Sequence, residues 1–187
     1  LKEAQNPMTI KYRRTDWLER GLDVLGHSGV DALTIDGMCQ LLGVTKGSFY
    51  HHFQNRDVFL EALLDYWEAQ YTTQFIAYSQ VGQSPQERLS RLSQLVVETH
   101  NTSESSIRAW AKSSPMARAY LERVDQRRIG YLRELYQALG RSEAEAQVLA
   151  NLFYAVLIGA QEVIPAFSAE ALGAIYTLLG KAFRFVP

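Results

Sequence analysis

The sequence predicts an all-α protein of about nine helices, and three observations carry that prediction. Apolar residues recur at three- and four-residue spacings through nearly every segment, and no stretch alternates like a strand. The prolines stand at positions 7, 85, 115, 165 and 187, outside the periodic segments, so each marks a boundary. Ser, Thr or Asn stands where most segments begin, and glycine stands where several stop.

The first helix is expected over residues 10–27, with Trp17, Leu18, Gly21, Leu22 and Leu25 on one face and Ser28-Gly29 as its stop. Thr34 caps a short helix reaching Leu42, with Asp36 in its first turn. Gly43 breaks the chain, and Thr45 is placed to cap a second short helix through His52. Asn55 caps a long helix over 56–80, which at 1.5 Å per residue spans roughly 37 Å. Ser84-Pro85-Gln86-Glu87 reads as a capping box with proline at the first helical position, and opens a helix with Leu89, Leu92 and Val96 inward. Ser103 or Glu104 starts a short helix carrying Ile107 and Trp110. Ser114-Pro115 opens a long one with Tyr120, Val124, Tyr131, Leu135 and Leu139, stopped by Gly140. Ser142 to Glu145 is a second capping box, leading into a helix that ends before Pro165. Ser168 caps the last helix, with Leu172, Ile175, Leu179, Ala182 and Phe183.

Composition narrows the class. At 187 residues and 21.2 kDa, the chain is long enough for one large domain or two small ones. Its 47% hydrophobic and 21% charged residues sit near the globular average and exclude a disordered or fibrous chain. The longest apolar run, 152–160, falls short of the roughly 20 residues of a membrane helix. No basic start leads into an apolar stretch, so no signal peptide is expected; the chain opens at Leu1, with Met8 a candidate start. The single cysteine, Cys39, forbids an internal disulfide and suits a reducing cytoplasm, the expected location. A formal net charge of −1 means that any nucleic-acid binding must come from a local patch.

Residues 34–53 are the most specific stretch. Two short helices flank Gly43, and Ile35, Met38, Leu42, Val44 and Phe49 can close a small core, with small Cys39 where the helices cross. This is the logic of a helix-turn-helix, whose first helix braces and whose second enters a DNA major groove. A plain helical hairpin is the alternative. Two observations weigh against it. No Asp or Glu falls between Asp36 and Asp57, while Lys46, His51, His52 and Arg56 do. The second helix is also a poor free-standing helix, because it is short and contains Gly47, Ser48, Phe49 and Tyr50.

The run Gly43-Val-Thr-Lys-Gly-Ser-Phe-Tyr-His-His-Phe53, followed by Asn55-Arg56-Asp57 and a long apolar helix, resembles the TetR family of bacterial one-component regulators. The motif covers about residues 10–60. It departs slightly at Arg56, where lysine is common, and at Gly37 and Cys39. The resemblance implies a helix-turn-helix DNA-binding domain over 1–55 and a helical regulatory and dimerisation domain over 56–187. It implies that Thr45 caps the recognition helix, that Lys46, Gly47 and Ser48 face the groove with Lys46 reaching a guanine edge, and that Tyr50 and His51 meet phosphates. Arg56 would clamp a phosphate, Thr34 would offer its helix N-terminus to another, and Lys11, Arg13 and Arg14 would follow the backbone. Phe49, Phe53 and His52 are read as core or brace.

Two further regions have roles. The segment 149–158 is apolar on nearly all faces, and the last helix carries more apolar surface than a terminal helix needs. Val156, Gly159, Ala160, Ile175, Leu179 and Ala182 are therefore expected at a homodimer interface, in line with the resembled family. Aromatic residues recur between the two ends of the chain. In the resembled family this region encloses a small-molecule pocket, which implies that Trp67, Tyr71, Trp110, Tyr131 and Phe153, with His100 and Arg108 as polar contacts, surround an apolar or aromatic effector; the alternative is that these aromatics are ordinary core. Arg127-Arg128 is read as a solvated face, and Cys39 as a small core residue. No phosphate loop, nucleophile elbow, metal cluster or cofactor motif is present in the sequence. The leading expectation is a homodimeric, ligand-responsive repressor released from a pseudo-palindromic operator by a small molecule, without enzyme activity. The alternatives are an all-α enzyme and an interaction module without specific DNA binding.

Overall fold

The computed structural model describes residues 12–99 and 102–183, and every described element is helical. In chain order the helices are α1 (Arg14–Ser28), α2 (Ile35–Leu42), α3 (Lys46–His52), α4 (Arg56–Glu68 continuing to Gln74–Gln80), α5 (Pro85–Glu98), α6 (Ser103–Ala111), α7 (Pro115–Ala138), α8 (Glu143–Glu162) and α9 (Ala169–Ala182). A 3-10 turn, Val30–Ala32, which the sequence reading did not anticipate, links α1 to α2. Residues 10 and 11, expected in the first helix, lie outside the described residues.

Local chemistry accounts for most boundaries. The side-chain oxygens of Thr34, Asn55, Ser114, Ser142 and Ser168 each accept a backbone N–H of the first turn they cap. The Ser142 box is reciprocal, with Glu145 accepting from the Ser142 N–H at 3.0 Å. The box expected at Ser84 is displaced by one residue. Ser84 does accept from the Glu87 N–H, but the Glu87 carboxylate accepts from Gln83 N–H at 2.9 Å, one position upstream. The expected long helix over 56–80 is one rod, but it is not uniformly α: Ala69–Thr73 form a π turn.

Two apolar clusters hold the chain together. The first gathers α1, α2, α3 and the first half of α4, and it continues into Ile107, Trp110, Ala117, Tyr120 and Val124 of α6 and α7. It therefore crosses residue 55. The second joins Leu89 of α5 with Tyr131, Leu132, Leu135 and Tyr136 of α7 and Ala146 to Tyr154 of α8. Helix α7 packs against α4, α5, α6 and α8, and α9 covers α5 and α8. No helix among the described residues is long and apolar enough to cross a membrane.

Candidate nucleic-acid interface and internal cavity

The turn between α2 and α3 requires its glycine. Gly43 sits at φ 65° and ψ 35°, where other residues are strained, and the Val44 N–H closes back onto the Cys39 carbonyl at 3.0 Å. At the start of α2, a Cβ on Gly37 would meet Thr34 Oγ1 at 2.9 Å. The same oxygen accepts the Gly37 N–H at 3.0 Å, so the small residue protects the cap. Cys39 is buried at the crossing, and burial pushes its thiol up, as suits a packing residue.

Helix α3 has two unlike faces. Its inner face is Phe49, fully buried, in edge or tilted contact with Trp17, Phe53 and Phe59 at ring-centre distances of 5.5, 5.3 and 5.6 Å. His52 is a brace, as expected, because Nε2 donates to the Tyr12 carbonyl at 3.0 Å. The outer face presents Thr45, Lys46, Gly47, Tyr50 and His51 to solvent, with Ser48 half-buried among them. Tyr50 is 53% exposed.

Several expected contacts have internal partners in the free chain. Lys46 Nζ pairs with Asp36 Oδ1 of α2 at 2.7 Å, and this bond holds the ammonium above its ordinary value. Thr45 occupies the N-cap position of α3, but its hydroxyl makes no cap bond, contrary to the expectation. Arg56 points inward. Its Nε donates to the Leu33 carbonyl at 2.7 Å and its Nη2 to the Val30 carbonyl at 2.8 Å, tying α4 to the turn before α2. Arg13 pairs with Asp16 at 2.9 Å, and Arg14 lies over the Phe53 ring at 5.0 Å. Lys11 lies outside the described residues.

A family model described as "Bacterial regulatory proteins, tetR family" matches residues 18–63, which span α1 to α4. By this match, residues 18–63 form an N-terminal DNA-binding domain of the tetR type. No curated protein sequence matches it. Among solved structures, Escherichia coli NemR in its reduced form has a TM-score of 0.73 at 20% identity, with 90% of this chain and 96% of that one covered. A TetR-family transcriptional regulator from Streptomyces coelicolor gives 0.72 at 17% identity over 87% and 83%. A Saccharomonospora viridis protein in complex with choline gives 0.71 at 18% identity over 90% and 95%. At these identities the likeness is one of fold, and it extends through the C-terminal helices of this chain.

A cavity of about 80 Å³ lies between the second half of α4, the start of α6 and helices α5, α7, α8 and α9. Tyr71, Tyr131 and Phe153 line it. Trp67 and Trp110 do not; they are buried in the first apolar cluster, on the side of the DNA-binding unit. Arg108 stands behind the wall, and His100 lies outside the described residues. The sequence reading missed Glu104, Arg128 and Tyr154 here, and it misplaced Arg128, which is not solvated. Arg128 Nη1 donates to Glu104 Oε1 at 3.0 Å, and its Nε donates to Thr72 Oγ1 at 2.9 Å. Burial opposes the Arg128 charge, but Glu104 and Tyr154 outweigh that, so the guanidinium stays above its ordinary value. Burial drives the Tyr154 hydroxyl well up; it donates to Asp125 Oδ1 at 2.6 Å. Tyr71 and Phe75 also line a groove that faces Glu19, Leu22 and Asp23 of α1, so the π-turn region separates the cavity from the DNA-binding unit.

Proposed function

We propose that this chain is a homodimeric transcriptional regulator of the tetR family that reads DNA through α3 and acts as a repressor released by a small molecule in the α4–α9 cavity. The carrying observation is the outer face of α3. Thr45, Lys46, Gly47, Ser48, Tyr50 and His51 form one polar and aromatic ridge without an acidic residue, on a helix whose other face is anchored by buried rings. Lys46 leaves Asp36 for a base edge, an exchange that costs little because both partners are exposed. Tyr50 and His51 meet phosphates, and the α2 N-terminus at Thr34 approaches another. Arg56 serves first as the brace that sets α4 against the turn before α2. Residues 1–55 act as the reading unit and 56–187 as the regulatory one.

Dimerisation runs through α8 and α9. Val148 and Leu178 are 66% and 68% exposed, Gly159 and Ala182 are exposed beside them, and Val156, Ile175 and Leu179 are half-buried. Ala160, expected at this surface, is buried within its own chain and leaves the interface. Two α3 helices about one DNA turn apart, roughly 34 Å or somewhat more, would require a pseudo-palindromic operator. The choline held by the Saccharomonospora viridis neighbour supports a small-molecule effector for this fold. Effector binding weakens operator binding only if it favours a different arrangement of the two units. The reading is of a cytoplasmic binding protein, not an enzyme: the charged groups at the cavity are engaged with each other.

Selection from a random duplex pool at near-physiological salt tests this reading. A two-fold symmetric motif is expected, and Lys46→Ala should lose about 1–3 kcal/mol on that motif and little on other sequences. Failure of the folded protein to enrich any duplex overturns the DNA-reading assignment. Equal losses on all sequences move Lys46 from a base edge to a phosphate.

A further inference from the structure

The chemistry of the cavity wall says more about its occupant than size does. Two charged side chains reach the wall, Glu104 and Arg128, and both are already neutralised. Glu104 Oε1 accepts from Arg128 Nη1 and from Arg108 Nη2, each at 3.0 Å. Arg108 also makes a two-pronged bond to Asp125, at 2.8 and 3.1 Å, and the Tyr154 hydroxyl links Asp125 to both arginines. Two cations thus face two carboxylates. A charged guest would leave water and find no free counter-charge.

The remaining wall is aromatic and aliphatic. Phe153 and Tyr176 stack with ring centres 5.5 Å apart and planes 7° from parallel. Tyr71, Phe75 and Tyr131 continue that surface, but the Tyr131 hydroxyl is turned to Ser79 Oγ at 3.0 Å. One buried side-chain atom of the wall has no hydrogen-bond partner among the described residues: Gln161 Oε1. A buried amide oxygen left without a donor is costly, so its donor has to come from the cavity, from water or from a guest. The volume, about 80 Å³, is smaller than the roughly 150 Å³ apolar cavity that admits benzene, so even a single-ring guest requires an outward shift of the walls and anything larger is disfavoured.

We infer that the cavity selects an uncharged single-ring aromatic compound carrying one hydrogen-bond donor, with phenol the simplest case, and that this donor is received by Gln161 Oε1. The inference rests on the proposed effector role of the cavity and adds its chemistry. The ring lies against the Phe153–Tyr176 stack, and the hydroxyl replaces the water that Gln161 otherwise needs.

Calorimetric titration of the full chain at neutral pH, without DNA, tests it with phenol, anisole, toluene, benzoate and benzyltrimethylammonium. Phenol, uncharged at this pH, should bind about five- to tenfold tighter than anisole, which keeps the ring and loses the donor. The two ions should bind more weakly than phenol. Gln161→Leu and Gln161→Met should both abolish the preference of phenol over anisole while leaving toluene binding intact. Their melting temperatures should not fall, because each removes an oxygen that lacks a protein donor. Equal binding of phenol and anisole, or a preference that survives both substitutions, overturns the role of Gln161. Tighter binding of either ion overturns the neutrality argument. In those outcomes a ring still occupies the cavity, and the effector reading stands. Binding by none of the five overturns both, while DNA recognition is judged separately by duplex selection.

Discussion

The two apolar clusters of this chain are built to opposite ends. Around α3, the rings of Trp17, Phe49, Phe53 and Phe59 are almost wholly buried and meet edge-on or tilted at centre distances of 5.0 to 6.4 Å. Helix α1 approaches α4 so closely that a Cβ on Gly21 would meet Leu63 and Phe59 at 2.9 Å. Around α7 and α8, comparable rings line a void, and a neutralised set of buried charges closes one end of it. A surface that must present a fixed ridge to a rigid partner needs a base that does not yield. A surface that must register a guest needs space and walls that can be displaced.

That contrast can be broken by truncating one ring on each side. Trp17→Ala should cost about 3–5 kcal/mol in urea unfolding. Phe153→Ala should cost less, because its neighbours already face open space. Equal costs would mean that the cavity wall is as rigid as the base of α3. Glu104→Ala leaves Arg108 and Arg128 without their shared carboxylate and should also cost roughly 3–5 kcal/mol. Glu104→Leu combined with Arg128→Met should restore much of that loss. Calorimetric melting of both variants checks whether the buried charges contribute stability or only neutrality. Gly21→Ala should cost about 1–3 kcal/mol through overpacking of α1 on α4, read in the same unfolding assay.

The smallest effect lies at the surface of both regions. Asp16 is held below its ordinary value by Arg13, and Glu145 by Ser142. Because these carboxyls are more acidic folded than unfolded, their contribution is present at neutral pH. It fades as pH falls through the ordinary carboxylate range to the lower folded values. Glu145 is exposed and Asp16 is half-buried beside an exposed Arg13, so the effect is small and salt-sensitive. Asp16→Asn with Glu145→Gln should flatten the acid limb of the stability–pH curve slightly and leave neutral stability almost unchanged.

Much of the molecule could be read from the chain because its signals are local. Thr34, Asn55, Ser142 and Ser168 cap the helices they precede, Gly43 makes the turn, and Phe49 and Tyr50 part to opposite faces of α3. What escaped depends on partners distant in sequence or on geometry that pattern does not encode. Arg56 was legible as a cation, but its acceptors are two backbone carbonyls more than 20 residues upstream. Arg128 and Glu104 stand 24 positions apart on different helices, and no periodicity announces their pairing. Trp67 and Tyr71 are one helical turn apart, yet one is core and the other lines the cavity. Their types alone could not separate them.

The π turn at Ala69–Thr73 leaves a lasting mark on the rod that joins the two regions. Each α-helical residue advances the azimuth by 100° and the length by 1.5 Å. A turn that holds an additional residue therefore offsets the heading of everything beyond it from that of a uniform helix. Deleting one residue between 69 and 73 would barely shorten the rod. It would swing the N-terminal unit by about 100° about the helix axis relative to the half that holds the cavity. The turn thus sets the compass bearing at which the reading unit is mounted, and small changes there would alter aim far more than reach.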